Sequence, residues 1–110
     1  MPIIQVDEDN FNEVINEEFS KKQIVILKFE TQLCDACQAL DFELEEVDEN
    51  YSDVSILTID CAESADLTEE FRVQRVPTIM IYTGIDELVY EKEGILLFQD
   101  IEEILKNIKN

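Results

Sequence analysis

Two cysteines, Cys34 and Cys37, are the residues of this sequence best suited to chemistry. They follow the apolar run 24–29 and open a segment, 38–50, whose apolar residues recur at helical spacing. Two cysteines three residues apart in the first turn of a helix lie on the same side of it, close enough for their sulfurs to form a disulfide. Free backbone N–H groups and the positive end of the helix dipole favour a thiolate there, so Cys34 is a usable nucleophile.

A Cys-x-x-Cys pair has two other interpretations, a structural pair and part of a metal site. Zinc takes four nitrogen or sulfur ligands, whereas this chain has no histidine and one further cysteine, Cys61. A closed zinc site within one chain is therefore disfavoured, and a site shared by two chains stays open. We interpret Cys61 as a small hydrophobic residue buried in the core rather than a third redox centre.

The apolar pattern predicts the elements that must position the cysteines. Short β-branched runs predict strands, and apolar residues three and four apart predict helices. The strands are predicted at 3–6, 24–29, 54–59, 79–82 and 88–91, and the helices near 11–19, 35–50, 64–71 and 97–108. Because proline cannot donate a hydrogen bond within a sheet, Pro77 is expected just before the fourth strand.

The order β-α-β-α-β-α-β-β-α then predicts the fold class. Strands that alternate with helices imply parallel crossovers, and a turn at Gly84 predicts that the last two strands form an antiparallel hairpin. We expect an α/β fold of three layers, α/β/α, with a central mixed sheet of about five strands and four helices on its two faces.

Two groups of charged residues have ordinary structural interpretations. Lys28 is the one charged residue within 24–29, and a lysine in a strand commonly extends past the core so that its ammonium reaches water. On the second helix, Asp41, Glu45 and Asp48 are predicted on the solvent side, opposite the apolar stripe.

Length and charge limit the class of function. At 110 residues the chain is large enough for one hydrophobic core, so we expect one domain over residues 1–110. It has 27 acidic and 8 basic side chains, a formal net charge of −19. Such a surface repels phosphate backbones and anionic lipids, so we expect no nucleic-acid or membrane partner. The same charge favours a monomer.

The first nine residues have neither a cationic stretch nor a long apolar stretch. This pattern predicts neither a signal peptide nor a membrane span. An odd number of cysteines fits a reducing compartment better than a secreted disulfide framework. We therefore expect a cytoplasmic protein.

Taken in order, these features resemble the thioredoxin family over essentially the whole chain. The matching features are the element order, the Cys-x-x-Cys motif after the second strand, Asp60 at the end of the third, Val76-Pro77-Thr78 before the fourth, and Gly84 and Gly94 near the hairpin. The pair Asp60-Cys61, at its spacing from Pro77, resembles the redox-active domains of protein disulfide isomerases more than bacterial thioredoxins. The resemblance implies the thioredoxin fold.

The resemblance also implies roles at the matching positions. Cys34 is similar to the family's attacking thiol, which opens a substrate disulfide, and Cys37 to the resolving thiol, which releases the reduced substrate. Pro77 resembles the family's cis-proline, beside which the backbone at Val76 binds an extended substrate segment. Leu33 occupies the family's tryptophan position before the first cysteine, which implies an altered docking surface.

Other positions depart from the family's pattern. Asp35 lies between the cysteines, where it adds negative charge beside Cys34 and opposes thiolate formation. Lys28 aligns with the family's buried carboxylate, and Ile56 aligns with that carboxylate's lysine partner. Because Glu30 shares a strand face with Lys28, these two residues are the candidates for a proton relay to Cys37.

The resemblance predicts a thiol:disulfide oxidoreductase that works as a reductant on protein or small-molecule disulfides through a Cys34–Cys37 redox-active disulfide, without a cofactor or a metal. Its implied partners are disulfide-containing protein substrates and an electron donor, either an upstream reductase or glutathione. The departures from the family pattern at Leu33, Asp35 and Lys28 leave an alternative function open. The chain could be a non-catalytic binding or adaptor module whose cysteines are regulatory or metal-linked.

Overall fold

The computed structural model describes residues 3–109. Five strands and four helices follow one another in the predicted order. The strands are β1 (Ile3–Val6), β2 (Ile24–Glu30), β3 (Val54–Asp60), β4 (Thr78–Tyr82) and β5 (Leu88–Glu93), and the helices are α1 (Phe11–Ser20), α2 (Asp35–Asn50), α3 (Ala65–Glu70) and α4 (Phe98–Lys109). Within residues 3–109, no helix is long and apolar enough to cross a membrane.

The strands form one mixed sheet in the order β1-β3-β2-β4-β5. The strands β1, β3 and β2 are parallel, whereas β4 runs antiparallel to β2 and β5 antiparallel to β4. This arrangement confirms the predicted thioredoxin fold. It also places β2 in the middle of the sheet, where both of its faces are covered.

Alternating residues of β2 point into two separate cores, one on each face of the sheet. The α1/α3 core contains Val6, Phe11, Val25, Leu27, Phe29, Leu57, Ile59, Leu67 and Met80. The α2/α4 core contains Ile26, Leu40, Leu44, Val47, Val54, Ile56, Ile79, Ile81, Leu96, Ile101 and Leu105. The helices therefore cover both faces, and the side chain of Lys28, which follows the alternation of Ile26, points towards α2.

Most element bounds differ from the sequence prediction by at most a single residue, and the differences in length are larger for β5 and α3. β5 continues to Glu93 rather than ending at 91, because it remains paired with β4 up to Thr78. α3 is confined to Ala65–Glu70.

A buried carboxylate joins α1 to β3 at the far end of the sheet from the cysteines. Glu18 is 7% exposed, and its carboxylate accepts hydrogen bonds from the hydroxyl of Ser55 at 2.5 Å and the ammonium of Lys21 at 3.2 Å. The Ser55 hydrogen bond, followed by the Lys21 hydrogen bond and charge, holds the pKa of Glu18 below its ordinary value, although burial acts in the opposite direction. Native structure therefore favours the charged form of Glu18.

We predict that Glu18→Gln lowers the free energy of unfolding by about 1–2 kcal/mol at neutral pH, because it removes a charge-assisted hydrogen bond. A group whose pKa is lowered by folding stabilises the native state above its ordinary pKa. That stabilisation is lost as the pH falls through the lowered value. Urea unfolding at neutral pH and in acid should show the difference between variant and wild type shrinking in acid.

The matched control is Glu17→Gln, which removes the same charge from the exposed neighbour that also contacts Lys21, at 3.4 Å. An exposed pair contributes between about 0 and 1 kcal/mol. Equal losses in the two variants would contradict the assignment of a specific buried interaction to Glu18.

Candidate functional site

One end of the sheet brings together the loops that carry the predicted site residues. β2 ends at Glu30, and residues 31–34 lead directly into α2. Because β2 and β4 are antiparallel, Phe29 near the end of β2 lies opposite Thr78 at the start of β4. The cysteines that follow β2 and the proline that precedes β4 therefore lie at the same end.

The two cysteines are joined by a disulfide, with their Cα atoms 5.2 Å apart. Cys34 is the N-cap residue of α2, and its Sγ accepts a hydrogen bond of 3.1 Å from the backbone N–H of Cys37. Cys37 is 2% exposed, whereas Cys34 is half-buried. Cys34 is thus the sulfur more open to an incoming molecule, and the N–H directed at it stabilises negative charge there.

The Val76–Pro77 peptide bond is cis, as the family resemblance implies. Pro77 is buried, and its carbonyl accepts a hydrogen bond of 2.8 Å from the N–H of Gly94. Gly94 has a φ of 95°, a left-handed conformation that favours glycine. Among the backbone hydrogen bonds of residues 3–109, none outside the helices and strands uses the N–H or C=O of Val76. These two groups are available to an extended partner segment.

An exposed leucine stands in front of the first cysteine. Leu33 is 99% exposed and has a φ of 57°, unusual for a residue with a branched side chain. Such a side chain contributes no burial to the fold. Two further apolar residues, Ile95 beside Gly94 and Leu97 close behind it, are also exposed. Gly94 hydrogen-bonds to Pro77, so Ile95 follows a residue that contacts the Pro77 loop.

The structure contradicts the interpretation of Lys28 as a strand residue that reaches water. Lys28 is fully buried, and its ammonium forms ion pairs with the carboxylates of Glu30, at 2.5 Å, and Asp41. The side chains of Glu30 and Asp41 are 24% and 47% exposed. Lys28 cannot extend to solvent because α2 covers this face of the sheet. Its charge is instead compensated inside the protein by the carboxylates of Glu30 and Asp41.

Sequence reasoning missed Asp41, which was predicted on the solvent side of α2. The residue lies at the boundary between the two sides, where its carboxylate reaches inward to Lys28. Its position four residues after Cys37, on the same side of the helix, was the available signal. That spacing could be read only once Lys28 was known to lie beneath α2.

Cys61 is partly exposed rather than buried as predicted, and it packs at the margin of the α1/α3 core. Its backbone N–H donates to the carbonyl of Glu30 at 2.8 Å, which places it at the same end of the sheet as the disulfide. Within the described residues 3–109, no group of three or more His, Cys, Asp or Glu side chains is arranged to hold a metal ion.

This geometry agrees with comparisons to known proteins. The family model described as Thioredoxin matches residues 2–108. The chain belongs to the thioredoxin family. Thioredoxin F2 of Arabidopsis thaliana chloroplasts is 31% identical over 80 residues, which cover 72% of this chain and 42% of that protein. A protein disulfide-isomerase of Arthroderma benhamiae is 29% identical over 80 residues, or 71% of this chain.

A solved structure of a chloroplastic thioredoxin z superposes with a TM-score of 0.85 at 28% identity, covering 99% of this chain and 96% of that one. The chain spans only part of the length of several curated relatives. It covers 14% and 17% of two fungal protein disulfide-isomerases and 59% of Thioredoxin H2-1 from Oryza sativa. The similarity to the isomerases is therefore a similarity to one part of each.

We predict that the Cys34–Cys37 disulfide opens and closes reversibly in thiol/disulfide buffers. Intact mass should show the gain and loss of two hydrogen atoms across a single transition at a reducing potential. Cys34→Ser and Cys37→Ser should each abolish the transition, because each removes one of the two sulfurs.

Cys61→Ser is the matched control, since it removes the third thiol from the same end of the sheet and should leave the transition in place. Loss of the transition in Cys61→Ser, or its persistence in Cys34→Ser, would show that a different pair of sulfurs is redox-active.

Proposed function

We propose that this thioredoxin-family chain is a thiol:disulfide oxidoreductase that reduces disulfides in protein or small-molecule substrates. The observation that carries the proposal is the Cys34–Cys37 disulfide at the start of α2, with the N–H of Cys37 directed at Cys34 Sγ. The relatives named thioredoxin and protein disulfide-isomerase support the same chemistry.

The difference in exposure assigns a separate role to each cysteine. In the reduced chain, the Cys34 thiolate attacks a substrate disulfide, forms a mixed disulfide and expels one substrate thiolate, which takes up a proton. The buried Cys37 then loses its proton and attacks Cys34 Sγ. This second step closes the Cys34–Cys37 disulfide and releases the other substrate thiolate. Two electrons pass from the dithiol to the substrate.

The surface around Cys34 supports binding of an extended substrate segment. The unpaired backbone groups of Val76, beside Pro77, offer one N–H and one C=O to such a segment. Leu33, directly before Cys34, supplies exposed apolar surface beside the disulfide. A substrate segment that contacts both residues would hold its disulfide close to Cys34.

The residue between the cysteines favours the reducing direction. Asp35 is exposed and carries a negative charge next to Cys34, which opposes the stabilisation that the start of α2 gives a thiolate. A less acidic thiol is a poorer leaving group from its own disulfide, so the dithiol has a greater tendency to reduce a partner.

The remaining partners follow from this direction of electron flow. The oxidised chain needs a donor of two electrons, which we assign to an upstream reductase or to glutathione. A donor of this kind operates in a reducing compartment, and we propose the cytoplasm. We also propose that the chain acts as a monomer, because a net charge of −19 opposes self-association.

We predict that Cys37→Ser accumulates mixed disulfides with protein substrates. The variant retains the attacking sulfur of Cys34 but lacks the sulfur that releases the substrate. Non-reducing electrophoresis of the variant mixed with insulin, a probe with accessible disulfides, should show a slower band that dithiothreitol abolishes.

The double variant Cys34→Ser/Cys37→Ser, which retains Cys61, is the control and should form no such band. A binding or adaptor module would associate with its partners equally well without either cysteine. Mixed disulfides in the double variant, or none in Cys37→Ser, would therefore contradict the assigned roles.

We predict that Leu33→Ser raises KM for insulin about tenfold, with little change in the reaction of Cys34 with a small alkylating reagent. The estimate assumes that the substrate buries most of this side chain, an interaction of about 1–2 kcal/mol. The measurement is the initial rate of insulin reduction at several substrate concentrations, with dithiothreitol as donor.

Leu88→Ser is the matched control, because Leu88 is also exposed but pairs with Tyr82, at the end of β4 away from Pro77. Equal changes in KM for the two variants would place substrate docking elsewhere.

A further inference from the structure

The ion-paired group beneath α2 contains an unequal number of charges. One ammonium, that of Lys28, faces two carboxylates, those of Glu30 and Asp41. Lys28 is fully buried, so water does not screen it. The group therefore carries a net charge of −1 when all three side chains are ionised, and one added proton makes it neutral.

This group lies close to the resolving cysteine. Asp41 follows Cys37 by four residues within the continuous helix Asp35–Asn50, and residues at this spacing have Cβ atoms about 5–6 Å apart on one side of a helix. Side chains with this Cβ spacing can bring a carboxylate and a thiol within reach of each other, directly or through one water. Because both residues belong to the same helix, their spacing is fixed whichever disulfide the chain is forming.

An open cleft connects Asp41 to solvent. The cleft has a volume of about 250 Å³ and is lined by Ile3, Glu30, Asp41, Glu45 and Thr58. Cys37 itself is 2% exposed. A proton that leaves the buried thiol thus has an exit at Asp41, whose side chain is 47% exposed.

We propose that Asp41 accepts the proton of Cys37 when the mixed disulfide is resolved, and that Lys28 is a positioning residue that holds the Asp41 carboxylate in place. The proposal rests on the oxidoreductase function above and names a further residue of its second step. The charged groups that face Asp41 are Lys28 and Glu30 from β2 and Glu45 from α2. β3 and β1 contribute Thr58 and Ile3, which do not titrate.

The step balances in atoms and charge. The S–H bond of Cys37 breaks and its proton passes to an oxygen of Asp41, while the sulfur's electron pair forms the bond to Cys34 Sγ. The bond between Cys34 Sγ and the substrate sulfur breaks, and the substrate leaves as a thiolate. Asp41 then releases the proton to water in the cleft.

The test follows the two steps separately with 5,5′-dithiobis(2-nitrobenzoic acid), a small aromatic disulfide, in a Cys61→Ser background. One equivalent added to the reduced chain releases one coloured aromatic thiolate as Cys34 attacks and a second as Cys37 resolves the mixed disulfide. The aromatic thiolate needs no proton at neutral pH. The pH dependence of the second phase therefore reports on the Cys37 proton.

We expect Asp41→Asn to slow the second phase roughly tenfold near neutral pH, the low end of what a general base contributes. The second phase should also depend more steeply on pH than in the parent, and the first phase should change little. Glu45→Gln removes the same charge from the same cleft, one turn further along α2. It should leave both phases within about twofold of the parent.

Several outcomes overturn the proposal. An Asp41→Asn second phase that matches Glu45→Gln in rate and pH profile shows that Asp41 accepts no proton. A second phase slowed by Glu30→Gln and not by Asp41→Asn assigns the proton to Glu30. If the parent chain itself shows no second phase, the oxidoreductase function is refuted. This result differs from those that refute only the role of Asp41, so the two failures are distinguishable.

A second variant keeps the test decisive if Asp41→Asn does not fold. The double variant Lys28→Met/Asp41→Ala removes the buried ammonium together with its Asp41 partner, so no cation is left unpaired in the interior. Its folding is checked by urea unfolding. In the folded double variant, a second phase as fast as that of the parent also overturns the proposal.

Discussion

The ammonium of Lys28 lies in the middle of the sheet and under α2, where it is fully buried. Removing a charge from water costs several kcal/mol unless opposite charges and hydrogen bonds accompany it. The chain meets this requirement with one carboxylate from the same strand, Glu30, and one from the covering helix, Asp41. The ion pair to Asp41 therefore ties α2 to β2 one helical turn below Cys37.

The order of the strands determines what surrounds the start of α2. Because β2 is central, its end adjoins the end of parallel β3 on one side and the beginning of antiparallel β4 on the other. The disulfide therefore lies between the Cys61 loop and the Pro77 loop. Three loops distant in sequence form a single surface, and the hydrogen bond from Gly94 to Pro77 adds a fourth.

The surface at Cys34 combines an exposed charge with an exposed apolar side chain. The chain as a whole carries −19, and one of its exposed charges, Asp35, directly follows Cys34, whereas Leu33, which directly precedes Cys34, is apolar and exposed. An apolar area within an acidic surface favours contact with apolar segments of a partner and disfavours polyanions. The side chain of Leu33 is too exposed to contribute burial to the fold, and the proposed substrate contact would give it a role.

The sequence by itself determined the order of the elements and the position of the cysteines. Strand and helix periodicity depends on neighbouring residues, so the alternation in 24–29 and the apolar stripe of α2 could be recognised without tertiary contacts. The Cys-x-x-Cys spacing and Pro77 are likewise local features. Their combination was enough to indicate the thioredoxin fold, the cis peptide and the side of β2 shared by Lys28 and Glu30.

Only the tertiary structure decided how the charged residues are used. Lys28 is buried because α2 lies across β2. The Asp41 carboxylate points inward because it forms an ion pair with the Lys28 ammonium beneath the helix. Glu18 is a similar case, since its partner Ser55 comes from a strand 37 residues away in sequence. Periodicity assigns a charged residue to solvent by default, because its burial becomes favourable only when a distant element brings the compensating charge or hydrogen bond.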